Sequence, residues 1–264
     1  MYCPSREQSE AQSFNREGSM KMLFQIIGIA VLIFAIFKLT PPMIKNFALR
    51  ALADGKNDKA VSLYKTASEL FGGNNQYKTE YALVLLRLGE FKKAENVLNA
   101  LIIDKKISGK DKLNAKTYRA MAYHKQGRTA EALEDMEELF ESAKSTVIYG
   151  MLGYLKQVGG EAALDFCKEA YDYNSDDRDI CDNMLVAYIR TDDLEKATEI
   201  AAELREKYPQ FVEAFYHSAL LELKKGNKTA AMEFLDKTAE CRRSMLTTVS
   251  EEDIENLRKE IENA

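Results

Sequence analysis

A short signal recurs along this 264-residue chain: a turn-forming residue followed five places later by alanine. Gly55 precedes Ala60, Gly89 precedes Ala94, Gly127 precedes Ala132, Asp192 precedes Ala197 and Gly226 precedes Ala231. Ala163 supplies a sixth member, with Val158-Gly159-Gly160 as its turn. The alanines lie 34, 38, 31, 34 and 34 residues apart. A period in this range marks a stacked repeat, in which each unit buries its apolar face only against its neighbours.

Each unit reads as two helices joined by that turn. Upstream of it lie runs such as Tyr77 to Leu88 and Glu213 to Lys225; downstream lie Asn57 to Leu70, Phe91 to Ile103 and Leu194 to Lys207. Ala, Leu, Glu and Lys dominate after residue 45, and only 4 prolines and 13 glycines interrupt the chain, so the composition predicts an all-α protein. Apolar residues follow each alanine at helical spacing, as with Leu98 and Leu101 after Ala94 or Ala201 and Leu204 after Ala197. Small residues seven places before the turn, Ala48, Ala82, Ala120 and Ala219, let the two helices of a hairpin approach closely. A lone hairpin cannot bury these faces; stacked hairpins can, and they form a solenoid.

At these residues the chain resembles the tetratricopeptide repeat family, whose unit is a helix-turn-helix of about 34 residues. The best single match is MAYHKQGRTAEALEDMEELF at 121–140, and Lys207-Tyr208-Pro209 ends another unit with proline where the family has one. The resemblance covers 43–245 and implies a right-handed superhelical solenoid of about six repeats, with the first helices lining its concave face. There are departures. Met151 stands where the fourth unit needs a small residue, Asp192-Asp193 takes the fifth turn, and Ile107 to Lys112 lengthen the link between the second and third units. Residues 246–264 read as a C-terminal capping helix, in which Ser250-Glu-Glu-Asp253 resembles a capping box and Ile254, Leu257 and Ile261 share one face.

Ahead of the repeats, Met22 to Leu39 hold one uncharged polar residue, Gln25, and one charge, Lys38, at the far end. A helix over 22–39 rises about 27 Å, close to the hydrocarbon thickness of a bilayer, and is expected to be a transmembrane anchor. A cleaved signal peptide is the alternative. Against it stand the length of the run and the lack of a small-x-small site before Lys38-Leu39-Thr40-Pro41-Pro42. Residues 1–21 are polar, lack an apolar period and read as a disordered tail. Arg6, Arg16 and Lys21 precede the span while Lys38, Lys45, Arg50, Lys56 and Lys59 follow it, a bias that puts the repeats on the cytoplasmic face.

Nothing in the sequence assembles an active site. His124 and His217 lack ligand-spaced partners, and the cysteines Cys3, Cys167, Cys181 and Cys241 form no C-x-x-C pair, which suits small apolar thiols in a core. Gly72-Gly73 and Gly159-Gly160 read as helix ends, not phosphate loops. The acidic clusters Glu134-Asp135-Glu137-Glu138 and Asp176-Asp177-Asp179 read as solvated faces and helix N-terminal charge. From residue 41 onward, 33 Lys and Arg interleave with 39 Asp and Glu, which argues against a nucleic-acid partner. No cofactor or metal is expected, and the chain reads as a non-enzyme.

A binding surface remains. If the first helices line the concave face, the residues six places before each turn point at a partner: Leu49, Leu83, Met121, Leu152, Val186 and Leu220. All are apolar, which suits a groove for a partner helix or an extended hydrophobic segment; packing between neighbouring first helices is the alternative. A second row, Arg87, Lys125, Lys156, Arg190 and Lys224, sits two places before the turns. It reads either as a basic ridge for an acidic partner or anionic lipid, or as cations on helix C-terminal dipoles. Together these features describe a membrane-anchored interaction scaffold that holds a protein or peptide, with the bilayer engaged through 22–39. The alternative is an extracytoplasmic assembly or chaperone-like factor.

Overall fold

The computed structural model describes residues 6–70, 74–160, 163–243 and 247–264, with side chains from residue 20 onward. Gly72-Gly73 and Cys3, interpreted above, lie outside the described residues. The chain divides into two compact units, residues 1–77 and 78–264.

The first unit holds α1 (Arg6–Ala53) and α2 (Asn57–Glu69). Helix α1 is 48 residues long and contains both Pro41 and Pro42. Residues 6–21, part of the stretch read above as a disordered tail, run in this helix. No proline stands between Pro4 and Pro41 to stop it, and once a helix is nucleated each added residue brings one more hydrogen bond. The stretch between Met20 and Ala53 is long and apolar enough to cross a membrane and none of its apolar window is buried by protein; Phe24 and Phe34 are 67% and 64% exposed. Burial begins past the prolines. Ala48 and Ala51 on α1 are buried, as are Ala60, Tyr64 and Ala67 on α2, which packs against it.

The second unit begins within α3 (Asn75–Arg87) and continues through α4 (Phe91–Ile103), α5 (Gly109–Lys125), α6 (Thr129–Ser142), α7 (Thr146–Val158) and α8 (Leu164–Tyr173). It ends with α9 (Arg178–Arg190), α10 (Leu194–Lys207), α11 (Val212–Lys224), α12 (Lys228–Lys237) and α13 (Glu251–Asn263). The first helices α5, α7, α9 and α11 form one layer, each contacting the next, and the second helices pack behind them.

The hairpin turns share one chemistry. A left-handed residue follows each first helix: Gly55, Gly89, Gly127, Gly160, Asp192 and Gly226 have φ of 72°, 78°, 79°, 85°, 65° and 79°. After Gly55, Gly89, Gly127, Asp192 and Gly226 the next residue's N–H reaches back to the carbonyl five places earlier, as in Glu90 to Leu85 and Arg128 to Tyr123, while Gly89 and Gly127 bond Leu86 and His124. This pair of bonds is the Schellman motif, and it satisfies carbonyls that the helix end leaves orphaned. Glycine suits the left-handed position because it has no Cβ to clash; aspartate at 192 is among the few side chains that tolerate it.

The fourth repeat corrects the sequence register. Its left-handed residue is Gly160, not Val158, and α8 starts four residues after it where the other second helices start two after theirs. Ala163 is therefore the N-cap of α8. The repeat alanine's place is taken by Cys167, whose N–H bonds the Ala163 carbonyl as Ala132 bonds Arg128 and Ala197 bonds Asp193. Cys167 is fully buried like those alanines, and burial pushes its thiol up to about 12. The small residue seven places before the turn becomes Gly153, so Met151 is no departure. A Cβ at Gly153 would lie 2.9 Å from Asn183 Nδ2. That close approach lets Asn183 donate to the Gly150 carbonyl at 2.8 Å and Gln157 donate to the Asn183 carbonyl at 3.2 Å, a polar clasp between α7 and α9.

The insertion before the third repeat lengthens a helix and not a link. Ser108 caps α5 by accepting from Asp111 N–H, and α5 runs 17 residues against 13 for α3. At the other end the capping box forms as the sequence predicts, with Ser250 and Asp253 bonding each other's backbone N–H. Leu257 and Ile261 then pack with Ala219, Ala231 and Leu235, closing the last hairpin.

Candidate functional site: a carboxylate-lined cavity on the first helices

Within the second unit the members of the apolar row meet different surroundings. In the first unit, Leu49 is 43% exposed on α1. In the second, Leu83 is half-buried, Met121 is buried and lines a cavity, and Val186 and Leu220 are half-buried in a separate hollow with His217. Leu152 is 1% exposed and is packing. Its misplacement follows from the register shift, because six places before Gly160 stands Tyr154, which does line the cavity. Most of the basic row is engaged within the fold. Lys156 binds Glu137 at 2.5 Å, Arg190 donates to the Gln157 carbonyl at 2.5 Å, and Lys224 donates to the Ile189 carbonyl at 2.5 Å while pairing with Asp192 at 3.0 Å. Arg87 and Lys125 line a hollow beneath Thr247 to Ser250.

The cavity, of about 150 Å³, opens on the layer of first helices. Its apolar wall is Met121 from α5 with Val147 and Met151 from α7; Tyr118, Tyr154 and Phe211 add rings. Four carboxylates complete it: Asp177, Asp179, Asp182 and Glu213. Among the described residues lining it there is no Lys or Arg. Asp179 and Glu213 occupy the same place, the second residue of α9 and of α11, 34 positions apart. The sequence carried that signal as two acids one repeat apart. It was missed because Asp179 sits in a run with Asp176 and Asp177 that reads as helix N-terminal charge. Those two do behave so: Asp177 caps α9 through Asp179 and Ile180 N–H at 3.1 Å each, and Asp176 pairs with Lys207 at 3.1 Å.

Each remaining carboxylate meets different chemistry. Asp182 accepts from His217 Nδ1 at 2.6 Å; burial opposes charge on that ring, but the adjacent Asp182 holds it above its ordinary range. Glu213 is 3% exposed, and its Oε1 accepts from the Thr248 N–H at 2.7 Å while Oε2 has no hydrogen-bond partner. Burial, then Asp182, raises its pKa. The Asp179 carboxylate is 62% exposed and pairs with Arg178 at 3.6 Å; packing between the helices, followed by repulsion from Asp177, moves its pKa upward. His124, the other histidine, bonds Thr129 and the Tyr154 hydroxyl, and burial lowers its pKa. Among the described residues no group of His, Cys, Asp and Glu is arranged to hold a metal ion.

Residues 51–106 and 185–244 each match a profile described as tetratricopeptide repeat. The fold is similar to that of a tetratricopeptide repeat protein from Parabacteroides merdae ATCC 43184, at 17% identity over 97% of both chains with a TM-score of 0.65. It is also similar to TTC0263, a thermophilic protein of the same repeat class in Thermus thermophilus, at 17% identity over 69% of this chain and 99% of that one, with a TM-score of 0.56. No curated protein matches the chain in sequence. Arrays of this kind are non-catalytic surfaces for protein–protein interaction. Two matched segments, a left-handed turn residue after each first helix and a buried small residue at one fixed place in each second helix mark 51–106 and 185–244 as tetratricopeptide repeats within an all-α chain of the same helical-hairpin fold.

Proposed function

We propose that the chain is a membrane-anchored scaffold: α1 crosses the bilayer and the repeats hold a partner protein at the membrane surface, on the cytoplasmic side. The observation that carries this reading is the unburied apolar stretch of α1, which passes directly into the first hairpin; water-exposed, so many large side chains would be strongly unfavourable. The partner docks on the layer of first helices at the cavity between α5, α7, α9 and α11, where apolar, aromatic and acidic groups converge. The positive-inside bias of the residues flanking the span supports the cytoplasmic side. An extracytoplasmic assembly factor is the same molecule inserted the other way.

An alkaline wash of native membranes tests the anchor: the protein stays in the membrane fraction, and complete release refutes it. Protease added to intact spheroplasts tests sidedness, since the repeats survive until lysis if they are cytoplasmic. Cross-linking in native membranes with the wild type and with Val147→Arg tests the docking face. Val147 is 38% exposed in the cavity mouth, so the variant folds and loses its cross-linked partners; unchanged partners refute the face.

A further inference from the structure

We propose that the cavity is a receptor for the side chain of a lysine or arginine carried by an extended segment of the partner, an inference that rests on the interaction role given above. The charge balance is the first ground. Four carboxylates line the cavity, no Lys or Arg among the described residues lines it, and the cationic groups beside it are committed: Arg178 pairs with Asp179 at 3.6 Å and lies over the Phe211 ring at 4.9 Å, and His217 is bonded to Asp182. Burial, and behind it the neighbouring carboxylates, raise both Asp179 and Glu213. The second ground is the orphaned oxygen. Glu213 is almost wholly buried, lines the cavity, and its Oε2 lacks a donor; a buried carboxylate oxygen without one costs free energy that an entering ammonium or guanidinium recovers.

Shape agrees with charge. Met121, Val147 and Met151 offer an apolar wall for the methylene stem of a long cationic side chain, and the Tyr118 and Tyr154 rings suit a cation passing over them. Thr248 shows how a main chain meets this wall, since Glu213 Oε1 takes its backbone N–H at 2.7 Å. The occupant is therefore a segment whose cationic side chain enters the cavity between apolar neighbours.

The test uses the full chain in nanodiscs of zwitterionic lipid, so that peptides are not drawn to an anionic bilayer. Binding of acetyl-Ala-Leu-Lys-Leu-Ala-amide is compared by calorimetry with that of the same peptide carrying norleucine for lysine. The lysine peptide binds about tenfold tighter, the scale of one charge-assisted hydrogen bond. Asp179→Asn, at an exposed carboxylate that folding does not need, removes that preference, as does Glu213→Gln, while Glu138→Gln, an exposed acid on α6, leaves it intact. Equal binding of the two peptides overturns the inference but leaves the docking face standing. Loss of the preference in Glu138→Gln also overturns it, because the effect is then bulk charge. Binding of neither peptide overturns it as well, and the Val147→Arg cross-linking result separately decides whether the face binds a partner at all.

Discussion

Leu152→Ala separates the register of the structure from the one the sequence suggests. If residue 152 lined an open groove, truncation would remove a half-solvated side chain and cost little. In the structure Leu152 is 1% exposed and ranks among the largest fully buried side chains of the second unit. Replacing it removes three carbon groups from the core, about 2.4 kcal/mol at roughly 0.8 kcal/mol each. A residual cavity adds to this, for a total of about 3 to 4 kcal/mol. Leu83→Ala, at a half-buried position of the same expected row, is the internal control and costs about 1 to 2 kcal/mol. Urea unfolding followed by circular dichroism at matched detergent concentration reads the difference. Repeat arrays unfold in coupled segments, so the comparison is made on the transition of the second unit. A loss for Leu152→Ala no larger than for Leu83→Ala would refute the Gly160 register.

Gly127→Ala places a Cβ at φ 79° and should cost about 1 to 2 kcal/mol, whereas Gly109→Ala, in ordinary helical backbone with open space around it, should be neutral or stabilising; thermal melts of both decide. Asp179 has a folded pKa raised above the 3.8 of the free group, so between the two values the fold holds more protons and this residue's contribution to stability falls as pH rises above about 4. The groups around it are Asp177, Arg178 and Asp182 near its own helix, Tyr118 on α5, Tyr154 on α7 and Glu213 on α11, and Asp179→Asn should flatten that slope in melts taken across the range. Iodoacetamide on the native protein should modify Cys241 well before Cys167 and Cys181, which are buried and pushed up to about 12; mass mapping of the adducts shows the order.

What the sequence made legible was whatever the repeat period controls. Gly89, Gly127 and Gly226 with their alanines mark the hairpins because a left-handed turn and a close helix crossing each admit few residue types. The fourth unit escaped for the same reason in reverse. Two glycines stood at its turn and an alanine followed at nearly the expected distance, so Ala163 passed for the repeat alanine while cysteine, equally small, did that packing at 167. The cavity was less legible still. Asp182, Asp179 and Glu213 meet only because α9 and α11 lie side by side, and a pattern read along one helix cannot weigh charges facing it from the next.

If α1 crosses the bilayer as proposed, Lys38 marks where the hydrocarbon ends. It is the one charge in the 22–39 run, and its long stem carries the ammonium to the interface. Pro41 and Pro42, which lack the N–H that a helix interior uses, then lie beyond the hydrocarbon although α1 continues through them. From that edge to Gly55 the chain rises about 25 Å at 1.5 Å per residue, which places the first hairpin turn within one small-domain diameter of the bilayer. Nitroxide labels at Ala30→Cys and Met43→Cys, in a Cys3→Ser, Cys241→Ser background, measure this in nanodiscs. Position 30 should relax with oxygen and position 43 with a water-soluble nickel complex. Oxygen-rich behaviour at 43 would move the edge past the prolines, and nickel access at 30 would show that α1 does not span at all.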